Sequence, residues 1–200
     1  MATNDLITVA EARAVVGIGA GDSKAAGLLP SFVTAVSDLL DDRVGPVVYA
    51  TITEELHDGG GQFFLVKSPV QAVTQVVEYD STTAATLTAE TNSTKPDDGY
   101  LADLDVGTVW RRSGGADALF PKGRQNVLVT YVAGRYTTTA TVGAQFKLAA
   151  ELTLKNAWRT QEDSSGADGE FEFPQTNYPR FAIPNSVKDL LAAEWRAVEF

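Results

Sequence analysis

Helical signals stand at both ends of this chain and enclose a run of strand and turn signals between residues 46 and 135. Helices and strands are therefore segregated along the sequence, the pattern of an α+β fold. Thr8-Val9-Ala10-Glu11 is a capping box: the threonine and the glutamate three residues on satisfy two orphan amides at a helix start. The spacing predicts a helix over 8–17, stopped at Gly17. Asp22 is a good N-cap for a second helix over 22–44, where Leu29, Phe32, Val33, Val36 and Leu40 form one apolar stripe. Gly27 and Pro30 predict that this helix kinks, or starts near Leu29; Val44-Gly45-Pro46 ends it. Helix returns over 144–161. Phe146, Ala150, Leu154 and Ala157 mark one face, and Leu148, Leu152 and Trp158 lie on others. An apolar surface on nearly every side predicts deep burial or packing against a second chain.

The middle stretch reads as a small antiparallel β unit of five or six strands, inserted over 46–135. Val47–Leu56 and Gln62–Val66 flank His57-Asp58-Gly59-Gly60-Gly61, which predicts a hairpin because an Asp-Gly turn needs positive φ. Val70–Tyr79, Val106–Arg112 and Asn126–Val132 follow as strands, with a weak strand at Ala85–Glu90 in an otherwise exposed loop. The core thus spans 1–161. After it, residues 162–184 combine the acidic run Glu162–Glu170 with Phe171, Phe173, Tyr178 and Phe181, spaced by prolines: an extended arm with aromatic anchors. A closing helix from Asn185 or Ser186 to about Val198 carries Val187, Leu191, Trp195 and Val198 on its stripe.

Composition removes several function classes. The chain has no cysteine and one histidine, which excludes a disulfide framework and a thiolate metal site and leaves any catalytic triad dependent on His57. A net charge of −10 argues against DNA or an anionic membrane as the main partner. No segment is apolar for the length of a membrane span, and the N-terminus lacks the pattern of a cleaved secretion signal.

The chemical motifs fail one by one. Gly17-x-Gly19-x-Gly21 follows a capped helix where a dinucleotide loop wants a strand, and Asp22 is a poor neighbour for a pyrophosphate. Read from Asp163, the acidic run places Ala167 and Asp168 where a calcium loop needs an oxygen ligand and a glycine. Glu54, Glu55, His57 and Asp58 could hold a metal or run acid–base chemistry, but on a strand Glu54 and Glu55 point apart. Asp58 is accounted for by the turn, and His57 at a hairpin tip is expected to be solvated. Arg111, Arg112, Lys122, Arg124 and Arg135 stand against the lone Asp117 over 109–136, a basic stretch suited to docking an acidic surface such as a neighbouring copy.

The order of motifs resembles a known family. Leu6-Ile7-Thr8-Val9-Ala10-Glu11-Ala12 opens a short helix, and a long helix ends at Val44-Gly45. Thr53-Glu54-Glu55-Leu56-His57-Asp58-Gly59, Pro69-Val70-Gln71-Ala72-Val73 and Val129-Thr130-Tyr131-Val132-Ala133-Gly134 follow, then the Phe146-Lys147-Leu148-Ala149 helix. Over about residues 5–160 this resembles the head–tail connector (adaptor) proteins of long-tailed bacteriophages. The resemblance implies a helical bundle with an inserted β unit and a C-terminal docking arm. It implies a structural virion protein of the neck, made in the host cytoplasm, without catalysis or cofactor. Copies would form a ring, dodecameric by resemblance, under the portal vertex. That ring extends the DNA channel without sequence-specific contact and carries the stopper or tail-terminator protein. The C-terminal segment of such adaptors meets the portal, which points to Phe181, Ile183, Leu191, Trp195 and Phe200. Arg111, Arg112, Lys122, Arg124, Glu54, His57 and Asp58 are then expected at a subunit or tail contact. Two rivals are a carbohydrate-binding or adhesive β module and a hydrolase using His57 with Glu54 or Asp58.

Overall fold

A computed structural model describes residues 4–19, 21–165 and 183–194. The chain forms two compact units, Met1–Val48 with Tyr136–Phe200, and Tyr49–Arg135. In the first, α1 (Val9–Val16), α2 (Ser23–Val44), α3 (Ala144–Ser165) and α4 (Asn185–Leu190) surround one apolar core, with a 3-10 turn at Thr139–Thr141.

The capping box at α1 is complete. Thr8 Oγ1 accepts the Glu11 N–H at 3.1 Å, and Glu11 Oε2 accepts the Thr8 N–H at 2.7 Å. Gly17 ends the helix in the left-handed region, at φ 75°. α2 does not start at Leu29: it runs without a break from Ser23 to Val44 and carries Pro30 inside it. A proline inside a helix forgoes one hydrogen bond, at a cost of about 3 kcal/mol. Leu29, Val33, Val36, Leu40 and Val44 offset it, because all five are buried, each stabilising by roughly 1.5–3 kcal/mol. Several polar groups in this core are paired across it, although Asp5 Oδ2 is buried without a hydrogen-bond partner among the described residues. Leu6 N–H donates to Ser37 Oγ at 2.9 Å, and Ser37 Oγ donates to the Val33 carbonyl at 2.8 Å. Thr34 Oγ1 donates to the buried Asp5 carboxylate at 2.9 Å.

α3 needs less outside cover than its composition suggested. Ala149, Ala150 and Ala157 let it seat closely, and it touches α1, α2 and α4. Phe146, Leu154 and Trp158 are buried, Leu152 is partly so, and Leu148 stays exposed. α4 is shorter than the spacing predicted, ending at Leu190, with a turn over 191–194. The rest of the expected helix, with Trp195 and Val198, lies outside the described residues.

The second unit is one eight-stranded sheet. Its strands are β1 (Ala50–His57), β2 (Phe63–Phe64), β3 (Val70–Asp80), β4 (Thr83–Ala89), β5 (Gly99–Asp103), β6 (Thr108–Ser113), β7 (Ala116–Ala118) and β8 (Val127–Ala133). The order is β1-β8-β3-β4-β5-β6-β2, with β7 also on β6. All pairs are antiparallel except β4–β5, which meets in parallel at Thr88↔Gly99 and Ala89↔Tyr100. β8 is the spine. Its strict alternation buries Val127, Val129, Tyr131 and Ala133 on the inner face, between β1 and β3. The expected hairpin at residues 57–62 is not formed, since β1 pairs with β8 and β2 pairs with β6. The turn Asp58–Gly61 leads from one end of the strand order to the other. The sheet curls so that those ends meet, and Phe63, Leu87, Tyr100, Val109 and Phe120 share one core with β8.

Candidate functional site

Three groups of residues in the β unit carry the polar chemistry the sequence singled out. The first joins the two ends of the sheet. Register shifts between Ile52↔Tyr131 and Glu55↔Val129, so Thr53 and Glu54 form a bulge, with Glu54 at φ 57°. The extra residue turns Glu55 and His57 to the inner face, where they sit opposite Val129 and Val127. Glu54 stays exposed while Glu55 turns inward. His57 is not solvated: its side chain is 10 % exposed, stacked on Phe63 at 4.2 Å, and bonded through Nε2 to Glu55 Oε1 at 2.7 Å. Glu55 Oε1 also accepts the Val66 N–H at 3.0 Å, and Oε2 accepts the Tyr131 hydroxyl at 2.6 Å. That hydroxyl accepts the Lys67 N–H at 2.9 Å. The carboxylate is thus spent on holding the chain after β2 against β1 and β8. Asp58 serves the same end by accepting the Gln125 N–H at 2.8 Å.

The second group takes two arginines out of the basic stretch. Arg111 is buried and makes a bidentate pair with Glu78, Nε to Oε2 at 2.9 Å and Nη2 to Oε1 at 3.0 Å. Nη2 also reaches Asp98 at 2.8 Å. Burial opposes the charge on Arg111, but the bonds from Glu78 and Asp98 outweigh it and hold the guanidinium above its ordinary pKa. Arg112 binds Glu90 at 3.0 Å and also pairs with Asp117 and the Gly115 carbonyl. Lys95 completes the set at 2.6 Å from the other Glu90 oxygen. The bonds from Lys95 and Arg112 hold the Glu90 carboxyl below its usual range. Arg111 and Arg112 therefore tie β6 to β3 and to the β4–β5 connection.

The third group is presented outward. The loop 121–126 is braced on the β1–β2 turn: Gly59 N–H donates to the Gly123 carbonyl at 2.9 Å and to Asn126 Oδ1 at 2.8 Å. A Cβ on Gly59 would overlap the Pro121 carbonyl, so this approach requires glycine. Lys122 and Arg124 project from the braced loop and are exposed. The one sequence sign of the split between Arg111 and Arg112 and these two is Glu78, an acid directly after Val76-Val77 in a buried strand. In the helical unit, Leu191 is 1 % exposed and Ile183 packs partly buried against the same core. Phe181, Trp195 and Phe200 lie outside the described residues.

No family model matches the sequence, and no curated protein does. Among solved structures the fold recurs in chains of gene transfer agent particles. A chain of the neck of an empty gene transfer agent particle, computed with C6 symmetry, matches at TM-score 0.61 and 18 % identity, covering 100 % of this chain and 95 % of that one. A chain of the native gene transfer agent virion matches at TM-score 0.54 and 19 % identity, over 100 % and 94 %. A chain of the native neck computed with C12 symmetry matches at 0.51 and 16 %, over 100 % and 98 %. At these identities the likeness shows a shared fold.

Proposed function

We propose that this chain is a structural subunit of a virion neck: an adaptor that forms a ring beneath the portal vertex, extends the DNA channel and carries the stopper or tail. The observation behind this reading is that the fold agrees from end to end with chains of gene transfer agent particles, including 95 % of a neck chain. The C6 and C12 symmetries of those necks favour a ring of copies. A non-catalytic role is supported by His57, which is engaged by Phe63 and Glu55 and not presented to a substrate. The net charge of −10 suits a channel wall along which DNA slides without sticking.

Portal docking falls to the C-terminal segment. Ile183 and Leu191 root it in the helical core, which leaves Phe181, Trp195 and Phe200 as the contact side chains. Removing 181–200 would also take Val187 and Leu191 out of the core, so the informative truncation is 195–200. Electron microscopy of portal-bearing heads mixed with the full chain is expected to show a ring of added density at the vertex. Heads that stay bare would overturn the adaptor reading. The 195–200 truncation, folded by circular dichroism, is expected to leave filled heads without tails; normal tail attachment would remove the portal-docking role.

A further inference from the structure

One face of the β unit is left uncovered by the described residues. Register sets Phe64 beside Thr108 and Thr108 beside Asp103, with Thr108 itself buried, and sets the half-buried Trp110 beside Leu101, two residues along the same strands. The β6–β7 register, continued past Arg111↔Ala118, sets Leu119 on the other flank of Trp110. Phe64 is 61 % exposed, Leu119 69 % and Leu101 39 %, an apolar strip that a water-facing sheet does not retain without use. Two residues beyond Leu119 begins the braced loop 121–126 with Lys122 and Arg124, whose side chains pair with no described residue. Arg111 and Arg112, by contrast, are neutralised from within. The strip therefore has a cationic rim.

We infer that this face receives residues 166–175 of a second copy. That stretch, Gly-Ala-Asp-Gly-Glu-Phe-Glu-Phe-Pro-Gln, holds three carboxylates and no base. Its Glu170-Phe171-Glu172-Phe173 alternation sorts two aromatics to one side of an extended chain and two carboxylates to the other. Two phenylalanines meet the Leu101–Trp110–Leu119 strip, and the carboxylates meet Lys122 and Arg124 on its rim. A face on one copy taking a segment of the next is a heterologous contact, the kind that closes into a ring. The inference rests on the ring proposed above and names how its copies join.

The chain contains no cysteine, so a pair placed at will is the only one present. Full-length Leu119→Cys/Phe171→Cys, at high protein concentration and treated with a short bis-maleimide, is expected to give a ladder of dimers, trimers and higher species. A cross-linked monomer of altered mobility would assign the segment to its own chain and overturn the inference. So would the absence of cross-links, or dimers from Leu119→Cys alone, which would mean a symmetric face-to-face contact. Adding Lys122→Glu/Arg124→Glu is expected to lower ladder yield on the order of tenfold, and Glu170→Lys/Glu172→Lys on top to restore it. A yield indifferent to both swaps removes the charged rim from the contact and overturns the inference. This assay needs no heads: a ladder alongside bare vertices would sink the adaptor reading alone, and rings on heads without a ladder would sink this contact alone.

Discussion

Individual side chains show how charge is spent in this molecule. Arg111 and Glu78 are both buried and bind each other bidentately. Glu78→Ala would leave the guanidinium buried with only Asp98 opposite, so a loss of about 3–5 kcal/mol is expected. Chemical denaturation of the full chain checks it, and a loss below about 1 kcal/mol would mean that water replaces Glu78. Replacing the pair together by Leu and Met of similar volume is expected to cost far less, since no charge is stranded. His57 makes the complementary point about legibility. Histidine beside two glutamates and an aspartate looks like chemistry in the sequence, and a turn tip looks solvated. The solvated reading fails, because one extra residue in β1 turns the ring inward onto Phe63 and Glu55. A bulge leaves no composition signature when its left-handed residue is a glutamate, as Glu54 is here.

At the scale of elements, local chemistry was readable where the partner was local. The α1 cap lies within four residues, and the structure holds it as the spacing predicts. β8 was readable from its alternation. The 57–62 turn was not, because Gly59 is there to admit the Pro121 carbonyl from a loop far along the chain, and no neighbour in sequence reports that. β5 and β7 escape the sequence for a related reason: both are short and lean on β6, whose arginines need Glu90 and Asp98 from the β4–β5 connection and Asp117 from β7 itself. Those ties carry a pH dependence. The bonds from Lys95 and Arg112 depress Glu90. At Glu11, burial pushes the carboxyl up, but the bonds from Lys147 and Thr8 outweigh it and depress the pKa. A depressed acid lends stability above its unfolded pKa, and that contribution fades as pH falls through its folded one. The melting temperature is therefore expected to hold from neutrality down to about the ordinary glutamate range near pH 4.3 and to fall below it. Glu90→Gln is expected to flatten that acid limb; a limb unchanged in the variant would assign the acid sensitivity to other carboxylates.

For the whole molecule, the economical design is an insertion. The β unit leaves the helical unit after Val48 and returns at Tyr136, and there the two chain ends are paired: Val48 bridges Tyr136, and the Tyr136 N–H donates to the Val47 carbonyl at 2.9 Å. Tyr136 also packs against the helical core, edge-on to Phe146 at 5.9 Å. The helical unit thus supplies its own closure at the neck of the insertion, and its buried residues, from Leu6 to Leu191, come from residues outside 49–135. A chain in which 49–135 are replaced by a flexible Gly/Ser linker of about a dozen residues is expected to melt cooperatively with a helical spectrum, since Val48 and Tyr136 run parallel and a parallel pair is joined by a crossover and not by a tight turn. A non-cooperative, molten product would show that the helices depend on the sheet. The same deletion divides the proposed labours. It keeps the C-terminal segment assigned to the portal and removes the Leu101–Trp110–Leu119 face assigned to the neighbouring copy. Such a chain is expected to compete with the full-length protein for the portal vertex while failing to form cross-linked ladders. Competition lost together with the ladder would mean that portal docking requires the β unit as well.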